Sequence, residues 1–121
     1  MAGVYRFEDL RVWQAAKQQS DRIGELLKRR LFQRDLKLSD QMNDAALSVM
    51  FNIAEGFLRL RDGETAQFLR YAFASNGELK SGYYAAEGSQ LPLRDGDRPL
   101  DRAEREHCQN APPLAGDSRY R

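Results

Sequence analysis

The stretch Leu38-Ser39-Asp40-Gln41-Met42-Asn43-Asp44-Ala45-Ala46-Leu47-Ser48-Val49-Met50-Phe51-Asn52-Ile53-Ala54-Glu55-Gly56-Phe57 decides the fold. Met42, Ala46, Val49, Ile53 and Phe57 recur at four, three, four and four residues, the period of one helical face. A second stripe, Gln41, Ala45, Ser48, Asn52 and Glu55, keeps the same rhythm with small and polar residues. A helix with one apolar and one small-polar face is expected to touch two different neighbours. Ser39 reads as its N-cap, with Asp40 in the first turn. Gly56, followed by Arg59, Arg61, Asp62 and Gly63, reads as its end and the turn beyond.

Upstream, Leu10, Trp13, Ala16, Ile23 and Leu27 carry a helical stripe, with Val12 and Leu26 beside it. Glu8 and Asp9 precede this stripe and Lys28, Arg29 and Arg30 follow it, both favourable to a helix dipole. A short connection over residues 31–38 leads into the central helix. Downstream, Ala66, Leu69, Phe73, Asn76, Leu79 and Tyr83 predict a third helix from about residue 62 to 87. Gly77 and Gly82 interrupt it, each at about 1 kcal/mol relative to Ala unless a close approach offsets the cost. No segment alternates like a strand, so the class is all-α. Three helices with short links imply an antiparallel up-and-down bundle, which normally closes with a fourth helix.

Composition divides the chain at residue 88. All four prolines (Pro92, Pro99, Pro112 and Pro113), His107 and Cys108 lie beyond it, with one of the twelve aromatics, Tyr120. Residues 1–88 hold 13 basic and 12 acidic groups and residues 89–121 hold six of each, so the net charge of +1 announces no nucleic-acid binder. The chain reads as helices one to three over 1–88 and an atypical tail over 89–121. One cysteine excludes an internal disulfide, and a single His excludes paired-His metal chemistry, including a di-iron bundle with two Glu-x-x-His motifs. No apolar run reaches the roughly 20 residues of a membrane helix, and the acidic start lacks a signal peptide's apolar core. A cytoplasmic protein without membrane contact, metal or other cofactor is expected.

Phe7-Glu8-Asp9-Leu10-Arg11-Val12-Trp13-Gln14-Ala15-Ala16, Leu38-Ser39-Asp40-Gln41-Met42, Asn52-Ile53-Ala54-Glu55-Gly56, Phe68-Leu69-Arg70-Tyr71-Ala72 and Asn76-Gly77-Glu78-Leu79 carry a resemblance over about residues 5–87. Together they resemble the small bacterial four-helix-bundle proteins encoded by 23S ribosomal RNA intervening sequences. The resemblance implies an antiparallel four-helix bundle assembling into a ring, typically a homopentamer, with no enzymatic activity. A related accessory protein of diversity-generating retroelements associates with reverse transcriptase and nucleic acid. Two departures stand out: Met50 replaces the family's helix-two proline, and the fourth helix is not readable in residues 89–121. Shifting the reading frame two bases, with synonymous codons freely chosen, makes an amphipathic helix accessible there. A divergent tail and a frame-shifted fourth helix are therefore the two alternatives.

Lys28, Arg29, Arg30, Arg34 and Lys37 cluster at the first connection, and Arg59 and Arg61 follow the second helix. They are the candidate contacts to RNA or DNA phosphates, multiplied around a ring; the alternative is dipole complementation and solubility. Trp13, Gln41, Ser48, Asn52, Glu55 and Gly56, the family-motif positions, read as structural, because no nucleophile–base–orienter set can be assembled around them. Trp13, Phe68, Tyr71, Phe73, Tyr83 and Tyr84 could stack bases, but at helical spacing they read as core, with Tyr71 and Tyr84 at a subunit interface. The expected function is a non-enzymatic oligomer binding RNA or DNA through basic rims. The alternative is an adaptor whose ring docks a partner enzyme such as a reverse transcriptase.

Overall fold

A computed structural model describes residues 4–88, which are helical throughout apart from their connections. A 3-10 turn (Phe7–Asp9) leads into α1 (Arg11–Leu27). A single turn, α2 (Arg30–Gln33), precedes α3 (Leu36–Leu58) and α4 (Asp62–Gly88). The two alternatives for residues 89–121, and the His107-Cys108 pair, lie outside the described residues. Among the described residues no helix is long and apolar enough to cross a membrane, and no cluster of His, Cys, Asp or Glu could hold a metal ion.

The bundle is antiparallel and α3 is its centre. Met42 meets Gly82, Ser48 meets Ser75 and Gly56 meets Thr65, so α3 and α4 run in opposite directions in tight register. On its other side α3 packs against α1. Near the α1–α3 connection, Ile23, Leu26, Leu27, Phe32, Met42, Ala45 and Ala46 form one cluster with Leu79, Tyr83 and Ala86. Near the α3–α4 turn, Leu10, Val12, Ala16, Val49, Ile53, Phe57 and Ala72 form another. Complete burial of residues such as Ile23, Phe32 and Leu79 stabilises the fold by about 1.5–3 kcal/mol each.

The stripes of α1 and α3 are buried apart from half-buried Trp13, whereas on α4 Asn76, Leu79 and Tyr83 are buried and Ala66, Leu69 and Phe73 only half-buried. The seven-residue interval between Ala16 and Ile23 is filled by Gln19, 1% exposed. Its Nε2 donates to Asn76 Oδ1 at 3.1 Å, linking α1 to α4 through the interior. An amide inside a core is tolerable only with such a partner.

Helix boundaries differ from expectation in three places, each for a local reason. Asp35, not Ser39, caps α3: its carboxylate accepts the Leu38 N–H at 3.0 Å. Ser39 lies inside the helix and is buried, its hydroxyl donating to the Phe32 carbonyl at 2.7 Å. Glu8 and Asp9 belong to the 3-10 turn, because Leu10 is extended (φ −74°, ψ 126°) and separates them from α1. Gly56 does not end α3, which continues to Leu58. It is a point of close approach to α4, where an added Cβ would stand 3.2 Å from Phe68 Cβ and 3.3 Å from the Thr65 carbonyl. Of the two glycines that interrupt the α4 pattern, Gly77 and Gly82, only Gly82 is matched to a neighbour; nothing lies within 4 Å of a Cβ built on Gly77.

Candidate nucleic-acid interface

The first basic group is built on two helix ends and the turn between them. Lys28 is the C-cap of α1, Arg29 the N-cap of α2, Arg34 its C-cap, and Lys37 lies in the first turn of α3. Phe32 anchors the segment: fully buried, it packs among Ile23, Leu26 and Met42. Two side-chain bonds hold the same segment, from Gln33 Nε2 to the Leu27 carbonyl at 2.6 Å and from Ser39 to the Phe32 carbonyl. The cations therefore project from a fixed turn. Lys28, Arg30, Arg34 and Lys37 are exposed and Arg29 is half-buried. Lys28 pairs with Glu25 at 3.1 Å; among the described residues Arg30, Arg34 and Lys37 form no ion pair. Exposed pairs of this kind contribute about 0–1 kcal/mol, so Lys28 is readily surrendered to another anion.

Arg59 and Arg61 do not join that group. They lie in the α3–α4 turn, at the other end of a helix of 23 residues that is about 34 Å long. The seven candidate cations thus form two sites facing opposite ends of the bundle. Arg59 is engaged twice. Its Nη2 donates to Glu55 Oε2 at 3.0 Å, and its guanidinium lies 4.6 Å from the centroid of the Phe68 ring. Phe68 in turn meets Tyr71 edge-on, centroids 5.8 Å apart. Arg61 is exposed, and its carbonyl accepts from both the amide and the hydroxyl of Thr65.

The family-motif residues line the α3–α4 seam and its outer side. Ser48 and Ser75 share a hydrogen bond of 2.7 Å, while Asn52 Nδ2 donates to the Ser48 carbonyl at 2.8 Å and to its hydroxyl at 3.0 Å. Glu55 holds Arg59, Gly56 admits α4, and Gln41 lines an open groove of about 350 Å³ with Met42, Glu78, Ser81, Gly82 and Ala85. Trp13 is half-buried and meets Phe7 edge-on at 5.2 Å, outside this seam.

The aromatic residues separate by exposure. Tyr83 is buried, Phe73 is packed on the second cluster, and Tyr71 and Tyr84 are 48% and 59% exposed. Sequence reasoning missed the joining of Arg59 to Phe68. Nine positions apart across a turn, the two share no helical period, so only the reversal of the chain brings them together.

A family model described as 23S rRNA-intervening sequence protein matches residues 8–92, more than half of the chain. No curated protein and no solved structure matches it.

Proposed function

The chain belongs to the 23S rRNA-intervening sequence protein family, and from that premise we propose that it is a non-enzymatic, oligomeric helical-bundle protein that binds RNA or DNA phosphates through the end bearing residues 28–37. The observation that carries this reading is the concentration of Lys28, Arg29, Arg30, Arg34 and Lys37 on one anchored turn, with Arg30, Arg34 and Lys37 free of carboxylate partners among the described residues. One such turn with a net charge of +1 behind it is a weak binder; repetition around a ring multiplies contacts on a continuous strand. Exposed apolar residues on α3 and α4, Phe51, Leu58 and Tyr84, support self-association, and the family resemblance favours five copies.

Titration of a single-stranded RNA at two salt concentrations tests the proposal. Log affinity falls with log salt by about 0.7 for each phosphate neutralised. Replacing Lys28, Arg29 and Arg30 together by Ala is expected to weaken binding and to flatten the slope by about 2 if each reaches a phosphate. An unchanged slope would remove the proposal. Light scattering on the same sample tests the assembly, and a monomer would remove the geometric basis for multiplied contacts.

A further inference from the structure

The two basic ends differ in chemistry. Within residues 28–37 the only ring is Phe32, which is fully buried, and Tyr83, which clusters with it, is buried too. At the 59–61 end a guanidinium and two rings form a continuous surface: Arg59 over Phe68, Phe68 against Tyr71, and Tyr71 about half exposed. We propose that this Arg59–Phe68–Tyr71 surface stacks unpaired nucleobases, making the protein selective for single-stranded nucleic acid. The inference rests on the nucleic-acid reading above and assigns a separate task to the opposite end.

The arrangement of Arg59 carries the argument. Its guanidinium lies 4.6 Å from the centroid of the Phe68 ring and donates to Glu55 at 3.0 Å, so a planar cation and two rings share one surface. Guanidinium planes and aromatic rings are the two surfaces on which splayed-out bases stack. The Glu55 carboxylate also offsets the Arg59 charge, so this surface offers stacking area with little net attraction for phosphate. Arg70, on the helical turn beside Tyr71, is likewise held, with Nη2 2.6 Å and Nε 3.2 Å from Gln67 Oε1. A paired base hides its faces in the duplex stack; an unpaired one does not. The 28–37 end should therefore set salt dependence, and the 59–71 surface the preference for unpaired strands.

Full-length protein is titrated with a fluorescent single-stranded oligonucleotide and with its duplex at fixed salt. Tyr71→Ala and Arg59→Lys are each expected to weaken single-strand binding by about ten-fold, leaving duplex affinity and the salt slope unchanged. Tyr71→Phe, which keeps the ring, should bind as the parent does. Equal effects on both substrates, or none, would overturn the inference while leaving phosphate binding at the other end intact. A changed assembly mass for Tyr71→Ala would also overturn it, assigning the surface to contact between copies of the chain. If the parent binds neither oligonucleotide, the functional reading above falls as well.

Discussion

Replacing Gly82 by Ala tests whether the α3–α4 spacing is set by one contact. A Cβ at residue 82 would lie 2.7 Å from Met42 Cγ and 3.4 Å from its sulfur. The Cγ sits near the root of the Met42 side chain, which is 1% exposed, so a rotation of the chain end cannot relieve the clash. Overpacking of this kind costs about 1–3 kcal/mol, and Ala recovers up to ~1 kcal/mol through helix propensity. The net expectation is a loss of about 0–2 kcal/mol. Gly77 supplies the control on the same helix: with nothing within 4 Å, Gly77→Ala keeps the propensity gain. The two variants should therefore differ by about 1–3 kcal/mol, the cost of the contact itself. Urea unfolding followed by circular dichroism, at one fixed protein concentration, measures the difference. A double-mutant cycle isolates it: once Met42→Ala has opened space, Gly82→Ala should become neutral or stabilising. If Gly82→Ala proves as stable as Gly77→Ala in the parent background, the argument for a contact-limited helix spacing is wrong.

Asp35→Ala should cost about 1 kcal/mol by removing the α3 cap, whereas Ser39→Ala should act through the lost bond to Phe32 and not through helix capping; amide exchange over the first turn of α3 separates the two. Phe32→Ala should cost about 3–5 kcal/mol and raise the mobility of the residues 28–37 turn, giving weaker RNA binding with all cations still present; a well-folded variant with parental affinity would show that the fixed turn is irrelevant to binding. Ser48→Ala should lose about 1 kcal/mol in thermal or urea unfolding, because Ser75 and Asn52 both give up a partner.

The three long helices were legible because their apolar spacing is strict and few residues compete with it. Val49 and Ile53 can be buried on one face only, and the strand period is absent. Helix ends were less legible. Asp35 and Ser39 are both good caps, and the choice between them is made by Phe32, whose burial pulls α2 under α3 and leaves Ser39 inside the helix. Gln19 escaped notice because an amide is tolerated in a core only when a partner satisfies it, and that partner, Asn76, is 57 residues away. The basic residues were legible as residues but not as sites. Only the up-and-down path of α3 places Arg59 and Arg61 at the far end from Lys28 and Lys37. The Asn52 to Gly56 motif shows the same limit: its helix was evident, whereas the partners of Glu55 and Gly56 come from Arg59 and from α4.

The central position of α3 also bears on how the chain reaches this structure. Each large interface joins long helices that follow one another in the chain, with only the single turn α2 between α1 and α3, so α1 with α3 and α3 with α4 can form as two local hairpins sharing one element. Such low contact order goes with folding in microseconds to milliseconds. The Gln19–Asn76 bond spans 57 residues and requires both hairpins to be in place. Substitution of Gln19 should then quicken unfolding and leave the refolding rate almost unchanged, whereas truncation of Met42 or Val49, which face the shared interfaces, should slow refolding. The buried amide pair is a latch on the finished bundle, and the middle helix is the template on which the other two are laid down.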